Sequence, residues 1–113
     1  MKQSEINFTI HLDEDSVPER ITWNASDKPG NTPEETKSLA LSLWDHQQKN
    51  TLRIDLWTKD MPVLEMKRFY IDAIGGMAQS VLNATGDQFM SEEMQTLCDK
   101  LVEHLKKEAQ QSS

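Results

Sequence analysis

A single cysteine, Cys98, stands among 113 residues. One thiol excludes an internal disulfide framework and suits a reducing compartment. Long hydrophobic runs are missing as well, and no window approaches the roughly eighteen apolar residues of a membrane span. The chain opens Met1-Lys2-Gln3-Ser4-Glu5, with no apolar stretch of the kind a secretory signal requires, so the expected location is cytoplasmic, without membrane insertion. Positive charge is scarce: 12 Lys and Arg face 19 Asp and Glu, for a net charge of −7. That field repels phosphate and no basic stripe interrupts it, so neither nucleic acid nor an acidic lipid surface is an expected partner. What remains is an ordinary globular composition, 36% hydrophobic and 27% charged, with a length that suits one domain over residues 1–113.

Period-two alternation appears at once. Ile6, Phe8, Ile10 and Leu12 alternate with Asn7, Thr9 and His11, and Ile21, Trp23 and Ala25 alternate with Thr22 and Asn24. Two strands joined by the polar turn Asp13–Glu19 form a hairpin. Ser26 to Asn31 reads as loop. Thr32-Pro33-Glu34-Glu35 has the form of a helix start with a capping box, which predicts a first helix to about Gln48. Its apolar residues Leu39, Ala40, Leu41, Leu43 and Trp44 cover more than half of a helical circumference, wider than a simple amphipathic stripe. Leu52, Ile54 and Leu56 alternate with Arg53, Asp55 and Trp57 as a third strand. Helical spacing of Met66, Phe69, Tyr70, Ala73, Ile74, Met77, Val81 and Leu82 predicts a second helix from Pro62 to about Asn83, ended by Gly86. Ser91 starts a third, striped by Met94, Leu97, Cys98, Leu101, Val102 and Leu105, with residues 110–113 frayed.

The expected order is therefore ββαβαα. It predicts an α+β two-layer sandwich with a three-stranded, mainly antiparallel sheet in spatial order 2-1-3 and three helices on one face. Ile54, Phe69 and Leu101 are expected in the core.

Little in the chain suggests catalysis. His11, His46 and His104 sit on three different elements, and none has a metal-ligand spacing to another donor on its own face. Asp13-Glu14-Asp15 invites a calcium loop, but the sixth and twelfth positions hold Pro18 and Asn24 instead of Gly and Glu. Cys98 lies inside an apolar stripe, where a thiol is inert. No catalytic, cofactor or metal residue is expected. Gly75-Gly76 in mid-helix costs about 1 kcal/mol per glycine against alanine, and close packing against another helix is the expected reason. The one constellation worth keeping is the polar sheet face, a candidate interaction face of Arg53, Asp55, Trp57, Thr9, His11 and Asn24. Trp and Arg are the types that anchor protein interfaces.

The run Leu52-Arg53-Ile54-Asp55-Leu56-Trp57-Thr58-Lys59-Asp60-Met61-Pro62, continued by Glu65-Met66-Lys67, resembles the signature of the gliding-motility-associated GldC family of Bacteroidetes. Ser4 to Thr9, Val17-Pro18-Glu19 with Trp23, and Leu43-Trp44-Asp45 resemble it in the same order. The resemblance implies an accessory component of the gliding machinery and supplies no catalytic residue. The expected role is thus a non-enzymatic adaptor for another protein of the gliding or envelope machinery. Alternatives are an acidic chaperone-like protein for secretion clients and a small-ligand-binding domain. The third strand, lacking Lys, Pro or a bulge, is also expected to support a weak homodimer.

Overall fold

The alternation from Ile6 makes β1 (Ile6–Leu12), which pairs antiparallel with β2 (Pro18–Ala25), placing Phe8 opposite Trp23 and Ile10 opposite Ile21. The computed structural model describes residues 2–30 and 32–111. Met1, Asn31, Ser112 and Ser113 lie outside them, and with them one end of the expected loop and of the frayed terminus. The turn between the strands is tied by Asp13. Its carboxylate accepts the N–H groups of Asp15 at 2.8 Å and Val17 at 3.0 Å, and its own N–H reaches the Val17 carbonyl at 2.9 Å. Asp13 is therefore spent on the turn, as a solvated-turn reading requires.

A short β3 (Glu34–Thr36) adds to the other edge of β2, with Ile21 opposite Thr36. The sheet order is β1-β2-β3, and Ile21, flanked by Ile10 and Thr36 on the central strand, is fully buried at 0% exposure. A second sheet is a hairpin of β4 (Ser38–Trp44) and β5 (Thr51–Trp57). Its turn is organised by Asp45, whose carboxylate accepts the N–H groups of Gln47 and Gln48 and whose carbonyl accepts that of Lys49 at 3.1 Å. Two helices follow, α1 (Val63–Thr85) and α2 (Gln88–Gln111).

Three expectations need correction. Residues 32–48 are not a helix: they hold β3, β4 and a turn. The stretch holds three Leu, two Glu and two Gln with one Ala and one Lys, so propensity favours a helix, but propensity is a weak prior that pairing overrides. Leu39, Leu41 and Leu43 alternate with Ala40, Ser42 and Trp44, and their excessive helical arc is what a strand looks like on a helical wheel. In consequence Leu52–Trp57 pairs with β4 and not with β1, so the order 2-1-3 is replaced by two antiparallel sheets of three and two strands. There are two helices rather than three.

The described residues part into two compact units at Pro62 and Val63, with all the strands before and both helices after. In the helical unit, α1 runs two residues past Asn83 to Thr85, and Gly86 takes a φ of +73° just beyond it. Asp87 then caps α2, its carboxylate accepting the Met90 N–H at 3.0 Å. This places the start of α2 one turn before Ser91, the expected start. Ser91 instead lies inside the helix and donates to the Ala78 carbonyl at 2.8 Å. The hairpin closes on Ala78, 2% exposed, and Cys98, 4% exposed, whose thiol contacts the Ile71 carbonyl at 3.6 Å. Cys98 is thus a packing residue, as its stripe predicts.

Close approach does not explain the glycine pair. A Cβ on Gly75 would meet the Cys98 Sγ at 3.9 Å, an ordinary contact, and one on Gly76 would meet nothing within 4 Å. The expected core is also thinner than the periodicity suggests, since Ile54 is 42% exposed. Phe69 and Leu101 are half-buried.

Candidate interaction face

The six residues expected on one polar face fall on two sheets. Asn24 is opposite Asn7 and Thr9 opposite Thr22, and His11 pairs with Arg20, so Thr9, His11 and Asn24 share the polar face of the three-stranded sheet. An Arg20–Glu35 ion pair at 3.4 Å lies on the same side, with both side chains more than half exposed. Such a pair contributes little stability and leaves a hydrated surface. On the opposite, apolar face Trp23 is half-buried, with the Lys28 ammonium 5.8 Å from its ring centre.

Arg53, Asp55 and Trp57 lie on the other sheet, and there the geometry is richer. Pairing places Trp44 opposite Thr51, Ser42 opposite Arg53, Ala40 opposite Asp55 and Ser38 opposite Trp57. One face of the hairpin therefore carries a tryptophan at each end, Trp44 at 66% and Trp57 at 46% exposure. Between them the Arg53 guanidinium forks onto Asp55, Nη2 to Oδ1 at 2.7 Å and Nε to Oδ2 at 3.2 Å, while Nη1 donates to the Ser42 hydroxyl at 2.9 Å. The bidentate bond from Arg53 holds the Asp55 carboxyl below its ordinary value. A guanidinium fixed on both sides loses little further entropy when a partner docks. Trp44 was missed because its segment reads as helix; the signal that locates it is the Leu39-Leu41-Leu43 alternation.

The other half of the familiar run is architectural. Thr58 is 1% exposed; its N–H reaches the Lys37 carbonyl at 2.9 Å and its hydroxyl donates to Asp60 at 2.7 Å. Lys59 donates its N–H to the Pro18 carbonyl at 2.9 Å and its ammonium to the Asp13 carboxylate at 2.8 Å. Asp60 also takes the Lys37 ammonium at 3.2 Å. Thr58-Lys59-Asp60 is a clip that ties the end of β5 to the start of β4 and to the β1–β2 turn. Among the described residues no group of three His, Cys, Asp or Glu side chains is placed to hold a metal ion.

The clip in the β unit and the Lys67–Glu108 pair between the helices give the protein a defined acid limb. Hydrogen bonding by Lys59 lowers the Asp13 pKa from 3.8, the Thr58 hydroxyl and then Lys37 lower that of Asp60, and Lys67 lowers that of Glu108 from 4.5. A carboxyl depressed on folding contributes stability that is complete above its unfolded pKa and is lost as pH falls through the folded value. Lys59 is raised from 10.5 by Asp13, so its share is complete below that pH and is lost above it. Urea midpoints should therefore hold steady from about pH 5 to 10 and decline below about pH 4. Lys59→Met should flatten that decline, and an identical acid limb in the variant would remove Asp13–Lys59 from the account.

A sequence model of the family described as gliding motility-associated protein GldC-like matches residues 18–107. The chain belongs to the GldC-like family. No curated protein and no solved structure matches it. The GldC-like span starts at β2, includes the hairpin face and the clip, and continues through most of α2. Membership associates the chain with gliding motility. No helix among the described residues is long and apolar enough to cross a membrane.

Proposed function

We propose that this GldC-like chain is a non-enzymatic accessory protein that binds another protein of the gliding or envelope machinery through the Trp44–Trp57 face. The observation behind the reading is the arrangement of that face: two exposed tryptophans flank a guanidinium already held by Asp55 and Ser42. Trp and Arg side chains dominate binding hot spots, and preorganised anchors retain the most affinity on docking. Affinity capture from the native host should yield one stoichiometric partner from that machinery. The double variant Trp44→Ala/Trp57→Ala should weaken it by about thirty-fold or more, the scale of a hot-spot loss. Trp44 is mostly exposed and Trp57 about half, so the single variant Trp44→Ala should leave the urea midpoint near that of the parent while already weakening the partner. A partner retained at full affinity would exclude this face as the docking site.

A second reading rests on a different observation. Large apolar side chains stand exposed in each unit, Ile6 at 66% in the β unit and Val63 at 68% and Phe89 at 72% at the starts of the two helices, separate points at which an unfolded segment could be held. Capture of many unfolded clients in place of one partner would favour an acidic chaperone.

A further inference from the structure

We infer that β5 is a homotypic pairing edge: two copies of the chain join antiparallel about a two-fold axis at Ile54, converting two hairpins into one four-stranded sheet. This rests on the strand itself and not on the adaptor reading. β5 is hydrogen-bonded to β4 and to no other strand among the described residues. A two-stranded hairpin is marginal in water unless more strands join it, and an edge without protection templates another chain. Thr51-Leu52-Arg53-Ile54-Asp55-Leu56-Trp57 holds no proline and no lysine, and its register with β4 is unbroken.

The register follows from which backbone groups point outward. The Thr58 N–H bonds the Lys37 carbonyl in continuation of the β4–β5 ladder, so even-numbered residues of β5 direct their N–H groups at β4. Odd-numbered residues, Thr51, Arg53, Asp55 and Trp57, direct theirs away, and the Lys59 N–H continues that set to the Pro18 carbonyl. A two-fold axis at Ile54, the midpoint of Thr51–Trp57, pairs Leu52 to Leu56 and stops short of Trp57, because the Lys59 bond to Pro18 brings the start of β2 against that end of the edge. Arg53 then faces Asp55 of the second copy in a hydrogen-bonded pair, and Ile54 faces its own copy in the closer, non-bonded kind. An axis at Arg53 or Asp55 would set like charges against each other, so charge selects this register from its nearest neighbours. An isologous contact must be self-complementary, and this one is so on both faces.

On one face the Arg53–Asp55 pair of each copy meets that of the other as an alternating ring of four charges. A guanidinium, with donors spread around its plane, can bridge two carboxylates. On the reverse face Leu39, Leu41, Leu43, Leu52, Ile54 and Leu56 line up without a polar interruption. Leu52 at 58% and Ile54 at 42% exposure lie at the edge that the second copy covers. The aliphatic strip supplies the affinity and the charges set the alignment.

Sedimentation velocity on the full chain tests this with paired variants. The parent should dimerise in a concentration-dependent manner, whereas Arg53→Asp and Asp55→Arg alone, each with like charges across the axis, should sediment as monomers. Mixed in equal amounts the two variants should form a one-to-one heterodimer, because each position then meets its opposite. Loss of the Arg53–Asp55 bond within one chain cannot produce that rescue. Ile54→Cys should also form an interchain disulfide under mild oxidation, with the native Cys98 thiol buried. A parent that stays monomeric at high concentration, single variants that still dimerise, or a mixture without rescue would each overturn the edge.

Discussion

Replacing Ile21 with alanine should cost about 2–5 kcal/mol, the range for truncating a fully buried branched side chain. Ile21 stands on the middle strand of the three-stranded sheet, opposite Ile10 on one side and Thr36 on the other, and has no exposed surface. No other large apolar side chain of the unit is so completely enclosed among the described residues. The cavity cannot be filled by collapse, because both flanking strands are held in register by their ladders to β2. Urea unfolding at neutral pH reads the effect directly, since the slope for a small protein is about 1–3 kcal/mol per molar and the midpoint moves by about 0.7 M or more. Ile54→Ala, 42% exposed in the single chain and measured at a concentration where the chain is monomeric, should move it far less. Equal losses at the two positions would mean that the buried face has been misassigned.

The converse experiment belongs to the helical unit. Ala78→Leu should destabilise by about 1–3 kcal/mol through overpacking, although leucine is a good helix former. Ala78 is 2% exposed, and its carbonyl takes the Ser91 hydroxyl from the facing helix at 2.8 Å, so the two backbones come close there. Three added carbons have to displace α2 or leave their rotamer well. The same measurement should show Ala78→Ser near neutral and Ala78→Leu well down. A gain in midpoint for leucine would place an unfilled space between the helices.

Legibility in the sequence followed the period of the pattern and its punctuation. β1, β2 and β5 alternate cleanly between apolar and polar residues, and both helices carry stripes at helical spacing, so all five were readable. β4 was not, because its outward positions hold Ala40, Ser42 and Trp44 beside three leucines, a composition that suits either state. Thr32-Pro33-Glu34-Glu35 then supplied a false start signal, and an error of type at one segment changed the partner of β5 and with it the topology. The candidate face suffered from the same cause. Arg53, Asp55 and Trp57 were placed on a common side of one strand by alternation alone, and in the β4–β5 hairpin they lie on one side of the ladder. Joining them to Thr9, His11 and Asn24 required the wrong sheet order. The turn chemistry of Asp13 and Asp45 is local and could have been weighed more heavily, since Asp45 separates two strands by a short polar turn.

The clip formed by Thr58, Lys59 and Asp60 has a consequence for genetics. If the chain serves motility as proposed, a motility screen would recover alleles in this tripeptide readily, because the Lys59 side chain fastens the β1–β2 turn, the Asp60 carboxylate holds Lys37 at the start of β4, and the Thr58 hydroxyl holds that carboxylate in place. Such alleles would lower the amount of folded protein in the cell rather than abolish a contact with the motility apparatus. Their phenotype should yield to overexpression or to growth in the cold, whereas alleles at Trp44 and Trp57 should resist both while the protein accumulates normally.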